Sequence, residues 1–303
     1  MAKIIFDSLF NKPKDTVPNQ YPQIEKMTQA QLLEAPSKSV WRISHSTLLF
    51  KLGDEFIITD PVFAERASPF QWIGPKRFHS LPITIAELPS IKAVVLSHNH
   101  YDHLDKQAVA ELAVKTQLFL VPKGLHATIV EWTAHKVAVV ELDWWESHRF
   151  GDLTFTSTPA QHFSGRGLHD ADATLWCSWV IEHHDTRLFF SGDSGYFDGF
   201  NAIGEHFGDF DLACIECGAY NENWSFVHMF PEQTLQAFID LKAKCLMPIH
   251  NGSFDLAMHR WNDPLTRIYR LIEDSNTNAI MPRMGERTVI GESKTINPWW
   301  EIE

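Results

Sequence analysis

The chain has 303 residues, 44% hydrophobic and 21% charged, which is the composition of a globular protein with a sizeable core. Its formal net charge of −12 argues against a surface built to hold nucleic-acid phosphates. A small anionic substrate stays compatible with that charge, because bound divalent ions invert the local field.

The opening stretch Met1–Phe10 is too short and too interrupted by charge for a secretory apolar region. No apolar run approaches the ~18 residues of a membrane span. A cytoplasmic protein with reduced thiols at Cys177, Cys214, Cys217 and Cys245 is expected. Residues 1–38 are polar and hold Pro13, Pro18, Pro22 and Pro36, so they read as an N-terminal arm with a short helix around Thr28 to Glu34. Residues 39–303 read as one compact domain, without linker or internal repeat.

Strand-length apolar runs rich in β-branched and aromatic residues follow in order: 47–52, 55–59, 93–96, 118–121, 153–157, 178–182, 187–190, 212–215 and 245–249. Helical patterns alternate with them. Leu104, Ala108, Val109, Leu112 and Ala113 share one helical face. Pro231 and Glu232 suit a first turn followed by Leu235, Phe238 and Ile239. Asp263 and Pro264 suit an N-cap and first helical position ahead of Leu265, Ile268, Tyr269 and Ile272. Interleaved strands and helices imply α/β layering. Cys214 and Cys217 form a C-x-x-C, but on a strand residues three apart face opposite sides, which favours two core thiols over a redox pair.

The polar clusters come directly after strands. The run Ala93–Leu96 leads into Ser97-His98-Asn99-His100-Tyr101-Asp102-His103-Leu104-Asp105, with three histidines and two aspartates in nine residues. His162, Asp193 and His250 each follow a later strand in the same way. Strand ends in a layered α/β fold converge on one rim. His98 and His100, two apart in an extended segment, leave on the same side, while Asp102 and His103 follow as the chain turns toward a helix. Imidazole and carboxylate suit zinc and similar divalent ions, and four such residues within six positions fit two adjacent ions better than one. A polar loop capped by Asp102 or Asp105 is the plainer alternative. It accounts for Asp105 but not for three histidines beside an acid.

His98-x-His100-x-Asp102-His103, Pro159-Ala160-Gln161-His162, Ser191-Gly192-Asp193-Ser194-Gly195 and Pro248-Ile249-His250 together resemble the metallo-β-lactamase superfamily. Trp41–Thr47, Thr59–Phe63, Gly74–Arg77 and Pro159–Arg166 narrow the resemblance to the branch of N-acylphosphatidylethanolamine-hydrolysing phospholipase D and its bacterial relatives, over about residues 40–290. The resemblance implies a four-layer αββα sandwich with a dinuclear site at one edge. It assigns His98, His100 and His162 to one ion, and Asp102, His103 and His250 to the other. Asp193 and a hydroxide bridge the two. The implied activity is a metal-dependent hydrolase, foremost a phosphodiesterase using the bridging hydroxide as nucleophile on a small-molecule or lipid-like phosphodiester. Zinc is the default metal, and manganese or iron can use the same ligands. Asp193 stands where classes of β-lactamase place a cysteine, which disfavours antibiotic hydrolysis. The short interval from Asp193 to His250 leaves no room for the inserted domain of the nucleic-acid-processing branch.

Beyond the ligands, Asp60 is expected to orient a ligating histidine by accepting its second ring N–H, against a plain turn role before Pro61. His228 is a candidate proton donor or substrate contact, placed with Asp102 among the catalytic candidates and weighed against a satisfied surface histidine. Arg166 is expected to pair with a phosphate oxygen or to serve as a structural ion-pair partner. Glu216 departs from the branch pattern, where proline is common, and is read as a substrate-selecting carboxylate or the partner of a nearby base. His259 is a further substrate candidate, and His45 a weaker one. The eleven tryptophans are read as core and terminal packing ahead of an acyl groove. Two rival functions stay open: a metal-dependent lactonase or esterase, and a non-catalytic metal-dependent binding or sensing protein.

Overall fold

A computed structural model of the chain describes residues 12–167, 169–292 and 295–302. The stretch Met1–Phe10 lies outside the described residues. In chain order the elements are α1 (Gln29–Glu34), β1 (Ser39–Arg42), β2 (Leu48–Leu52), β3 (Glu55–Thr59), β4 (Ile91–Val95), α2 (Lys106–Leu112), β5 (Thr116–Pro122), α3 (His126–Trp132) and β6 (Ala138–Leu142). They continue with β7 (Ser147–Phe150), β8 (Leu153–Thr158), β9 (Ser178–His183), β10 (Thr186–Phe190), α4 (Gly199–Phe207), β11 (Leu212–Glu216), α5 (Pro231–Asp240), β12 (Leu246–Ile249), α6 (Asp263–Ser275) and β13 (Arg287–Val289).

Two sheets result. One has the order β13-β1-β2-β3-β4-β5-β6 and the other β12-β11-β10-β9-β8-β7. The strands that pair in parallel, β3 to β6 and β10 to β12, are joined mainly by helical crossovers. The period-two alternation of their side chains sorts residues between layers. On β4, Ala93 and Val95 enter the core between the sheets, while Val94 and, just past the strand, Leu96 face the helices outside. On β11, Leu212 and Cys214 point inward, and Ala213, Ile215 and Cys217 pack under α4, α5 and α6. The two C-x-x-C thiols are therefore free, buried and on opposite faces of one sheet. Helices outside each sheet complete the αββα sandwich.

Trp179 ties the sheets together near the functional rim. It is fully buried on β9, and its Nε1 donates to the carbonyl of Leu96 at the exit of β4 at 2.9 Å. The backbone of Cys177 donates to Ser97 O at 3.0 Å. The second sheet thus fixes where the histidine-rich loop of the first begins.

Thr28 caps α1 in a reciprocal bond with Gln31, and Met27 and Leu32 bury against Trp41, Ile43 and Leu49. Glu25 N–H donates to Met284 O at 2.8 Å, and Lys51 Nζ donates to Leu33 O and Ala35 O at 2.6 and 2.7 Å. The end of the arm is thereby part of the helical layer over the first sheet.

Two local expectations need correction. Asn262, not Asp263, is the cap residue of α6, so Pro264 sits one position further in. Ile239 of α5 is 56% exposed, and the buried face is Pro231, Thr234, Ala237 and Phe238, because α5 meets the sheet one row earlier than its apolar spacing suggests. No helix among the described residues is long and apolar enough to cross a membrane.

Candidate metal centre

The parallel pairing brings strand ends from both sheets to one rim. Asp60 follows β3, Ser97–His103 follow β4, His162 follows β8, Asp193 follows β10, Glu216 ends β11 and His250 follows β12. The β1–β2 turn brings His45 to the same rim, since β2 runs antiparallel to β3. Sharp turns are needed where strands deliver their ligands. Asp60 and His250 take φ of 35° and 62°, in the left-handed region. Gly192, at φ 57°, precedes Asp193, and a Cβ there would stand 2.5 Å from Ser97 Cβ.

The loop after β4 is held at both ends. Asp105 caps α2 through Gln107 N–H and Ala108 N–H at 3.0 and 3.3 Å, and its other oxygen accepts from Phe63 and Ala64 N–H. Arg166 donates from Nη1 to the carbonyls of Asn99 and Leu104, each at 2.7 Å, and lies 3.8 Å from the Tyr101 ring centre.

The first cluster is His98, His100, His162 and Asp193. Ring nitrogens facing away from the centre are already committed. His98 Nδ1 bonds Ser97 Oγ at 2.9 Å, and that hydroxyl donates onward to Asp60 at 2.5 Å. His162 Nδ1 donates to Val227 O at 3.0 Å. These bonds leave Nε2 of both rings as bare acceptors. His98 Nε2 stands 2.9 Å and His162 Nε2 3.2 Å from His100 Nδ1, and Asp193 Oδ2 lies 3.8 and 3.7 Å from the first two. Burial, the largest effect, keeps His98 and His162 well below the ordinary imidazole range, so both stay neutral. Three imidazole nitrogens crowded around one point beside a carboxylate repel one another unless a cation lies among them.

The second cluster is His45, Asp102, His103 and His250. His103 Nδ1 donates to Asp60 Oδ2 at 2.6 Å, and Ser97 N–H donates to Asp60 Oδ1 at 2.7 Å. Nε2 of His103 then faces inward, 3.0 Å from Asp193 Oδ1 and 3.5 Å from Asp102 Oδ2. His250 Nε2 lies 3.1 Å from Asp193 Oδ2 and 3.3 Å from Asp102 Oδ2. Buried His103 Nε2 and Asp193 Oδ1 have no hydrogen-bonded partner despite their short separation. Burial opposes charge on His103 and His250, but the summed pull of Asp193 and Asp102 wins. His103 is raised well above its ordinary value and His250 to about 10. Burial likewise opposes charge on both aspartates, and the facing histidines hold them well below the usual carboxylate range. In the metal-free protein, protons stand where cations would bind. The donor set fits two divalent ions, with Asp193 touching both clusters.

Glu216 is wholly buried. Its Oε2 bonds His228 Nδ1 at 2.8 Å, its Oε1 accepts from Met229 N–H at 2.5 Å, and its backbone carbonyl accepts from Thr234. Burial, with the charge of Asp193 added, raises Glu216 well above the carboxylate range, and burial lowers His228 to about 4. His228 also contacts the rings of His162 and His250, both at 5.2 Å between centres. It lines a pocket of about 320 Å³ with His100, Asp102, Asp193 and His250 on one side, and Phe163, Trp224, Val227 and Leu256 on the other.

The structure thus gathers His98, His100, Asp102, His103, His162, Asp193 and His250 at one rim, with Asp60 behind His103 and His228 at the pocket wall. Arg166 and His259 are not brought to that pocket. Arg166 spends its donors on the β4 loop, and His259 packs on Tyr220 in a small neighbouring cavity. Glu216 reaches the pocket only through His228. Ser97, which links Asp60 to His98, was missed in the sequence, as were the apolar pocket residues. The adjacency of Ser97 and Phe163 to ligands was the available signal. Of the tryptophans, Trp300 is core and Trp224 lines the pocket.

Residues 56–251 match the family described as the β-lactamase superfamily domain. An uncharacterized protein of Mycobacterium tuberculosis is 36% identical over 296 residues, 96% of this chain and 78% of its own length. N-acyl-phosphatidylethanolamine-hydrolyzing phospholipase D 1 of Caenorhabditis elegans is 34% identical over 265 residues, 80% of this chain and 73% of its own. Among solved structures, an isothiocyanate hydrolase from Delia radicum gut bacteria aligns with a TM-score of 0.65 at 20% identity, over 84% of this chain and 99% of that one. The last likeness concerns the fold alone.

Proposed function

The chain belongs to the β-lactamase superfamily, as a metal-dependent hydrolase of the metallo-β-lactamase fold, and on that premise we propose that it cleaves phosphodiester bonds at a dinuclear centre. The observation that carries this reading is the convergence of eight ligand-type side chains in two clusters, seven of them in the ligand set the resemblance implies, with Asp193 within 3.8 Å of histidines in both. His98, His100 and His162 would hold one ion, and Asp102, His103 and His250 the other, with Asp193 placed between the two sets. When bound, such ions supply Lewis acidity: they polarise a phosphoryl oxygen and acidify water into a nucleophile. The nitrogen and oxygen donors suit zinc, and also manganese or iron.

This chain's own groups supply the rest. Asp60 keeps the proton of His103 on Nδ1, so that Nε2 stays available as a ligand. Glu216 bonds His228 Nδ1 and leaves Nε2 for the substrate, where a proton can pass to the departing oxygen. The wall of Phe163, Trp224, Val227 and Leu256 suits an acyl or other apolar substituent. A phosphodiester with an apolar arm fits both sides of this pocket, in keeping with the lipid named for the C. elegans relative.

The test is a metal assay followed by a substrate panel. Protein purified without added metal should carry about two ions per chain. Phosphodiesters, phosphomonoesters, lactones and thioesters are then compared. Turnover of lactones alone would reject the phosphodiesterase reading in favour of a lactonase. No turnover of any member, with two ions bound, would favour a binding or sensing role.

A further inference from the structure

His45 lies outside the seven ligands of the proposed dinuclear centre. It is 1% exposed, yet neither ring nitrogen has a hydrogen-bond partner. A buried polar atom left unpaired is costly, so an imidazole with two such atoms calls for an explanation. Its surroundings give one. Three imidazole Nε2 atoms converge on a single oxygen, Asp102 Oδ2: His45 at 3.3 Å, His250 at 3.3 Å and His103 at 3.5 Å. The four donor atoms of His45, Asp102, His103 and His250 all lie within 4.8 Å of one another. Separations of this size are those between neighbouring ligands around one divalent ion.

The backbone holds His45 in that position. Ile43 N–H and Ser44 N–H both donate to Thr47 O, closing the β1–β2 turn. Arg77 Nη1 donates to Ser44 Oγ, and Thr47 Oγ1 donates to Asp60 O at 2.7 Å. His250 N–H donates to His45 O at 3.1 Å, which locks the turn to the strand end that delivers another member of the cluster. The His45 ring is covered by His250 at 3.9 Å and by the edge of Phe254 at 5.5 Å, so water does not reach it from that side.

We infer that His45 is a direct ligand of the ion held by Asp102, His103 and His250, giving that ion a third imidazole. The inference rests on the dinuclear reading above. It makes the two sites unequal: both border the pocket, through His100 on one side and Asp102 and His250 on the other, but only the second would gain a further nitrogen from the β1–β2 turn.

The experiment uses the full chain, stripped of metal and titrated with zinc against a chromogenic chelator. Wild-type protein should bind two equivalents. His45→Ala should bind one as tightly as wild type and the other at least about tenfold more weakly. A second measurement needs no variant. Long-range proton–nitrogen spectra of the wild type should show His45 Nε2 shifting in the same titration step as His103 and His250. Unchanged affinity for both equivalents in His45→Ala overturns the inference, as does a His45 ring nitrogen that does not move on loading. A wild type that takes only one equivalent fails the dinuclear reading itself, and His45 as ligand of a second ion falls with it.

Discussion

Asp60→Asn tests whether the centre depends on the side chain behind it. Asp60 is fully buried, and three donors meet its carboxylate: Ser97 N–H at 2.7 Å, Ser97 Oγ–H at 2.5 Å and His103 Nδ1–H at 2.6 Å. Asparagine tolerates the left-handed backbone at this position, so the turn survives. The amide has one acceptor oxygen. If its NH2 replaces Oδ1, it opposes Ser97 N–H and leaves a buried donor unpaired, at a cost of about 1–3 kcal/mol. If it replaces Oδ2, it donates to His103 Nδ1 and moves the ring proton to Nε2. That tautomer cannot ligate an ion. Either arrangement weakens the second cluster, and loss of such a support typically costs 10–100-fold in metal affinity, or roughly 1.4–2.7 kcal/mol. Competition titration with a chelator at neutral pH reads the affinity, and chemical denaturation of the metal-free protein reads the stability. Two-ion binding within about threefold of wild type would refute the role given to Asp60.

His228→Ala should leave two ions bound and lower kcat by about 10²–10⁴, with the loss shrinking for substrates whose leaving group needs no proton; a uniform loss across leaving groups would count against proton donation. Arg166→Ala should destabilise the fold by roughly 2 kcal/mol, through two lost bonds to carbonyls and the Tyr101 contact, with KM for a phosphodiester unchanged; a large rise in KM at wild-type stability would restore the phosphate contact. Glu216→Gln should retain most activity, because an amide can still accept from Met229 N–H and bond His228 Nδ1, whereas Glu216→Ala should lose stability and turnover together; equal behaviour of the two would deny Glu216 its positioning role. Metal binding should release protons. His103 and His250 are protonated in the metal-free protein, His250 up to about pH 10, and must be neutral to ligate, so apparent affinity should rise with pH by up to about tenfold per unit for each proton displaced. Both raised values stabilise the metal-free fold below the ordinary histidine range, and the His250 contribution is lost as pH climbs toward 10, opposite in sign to the metal affinity. Calorimetry in buffers of different ionisation enthalpy checks this, and affinity independent of pH would contradict it.

What the sequence reveals follows from how locally each feature is determined. The central strands β4, β5, β10 and β11, and β12 at a covered sheet edge, are largely buried, so their apolar runs stand out. Edge strand β7, Ser147-His148-Arg149-Phe150, is half exposed and reads as a loop. Helix α4 is hidden by Gly199 and Gly204, which lower its propensity. Gly204 is there for contact, since a Cβ would stand 2.0 Å from Asp240 O at the end of α5. The candidate metal ligands are legible because their residue types are costly to place anywhere else and each follows a readable strand. Groups with several possible partners are not legible in this way. Arg166, four residues after His162, could serve an anion or a carbonyl, and only the fold decides for the carbonyls of Asn99 and Leu104. Glu216 stands out by type, yet its partner His228 comes from the segment after β11 and meets it only when that segment folds back over the strand end. His45 is the extreme case. Within Trp41–Thr47 it offers only a weak candidate without ligand spacing, and its relevance rests on three nitrogens meeting one carboxylate oxygen, a coincidence that exists only once β1, β4 and β12 share a rim.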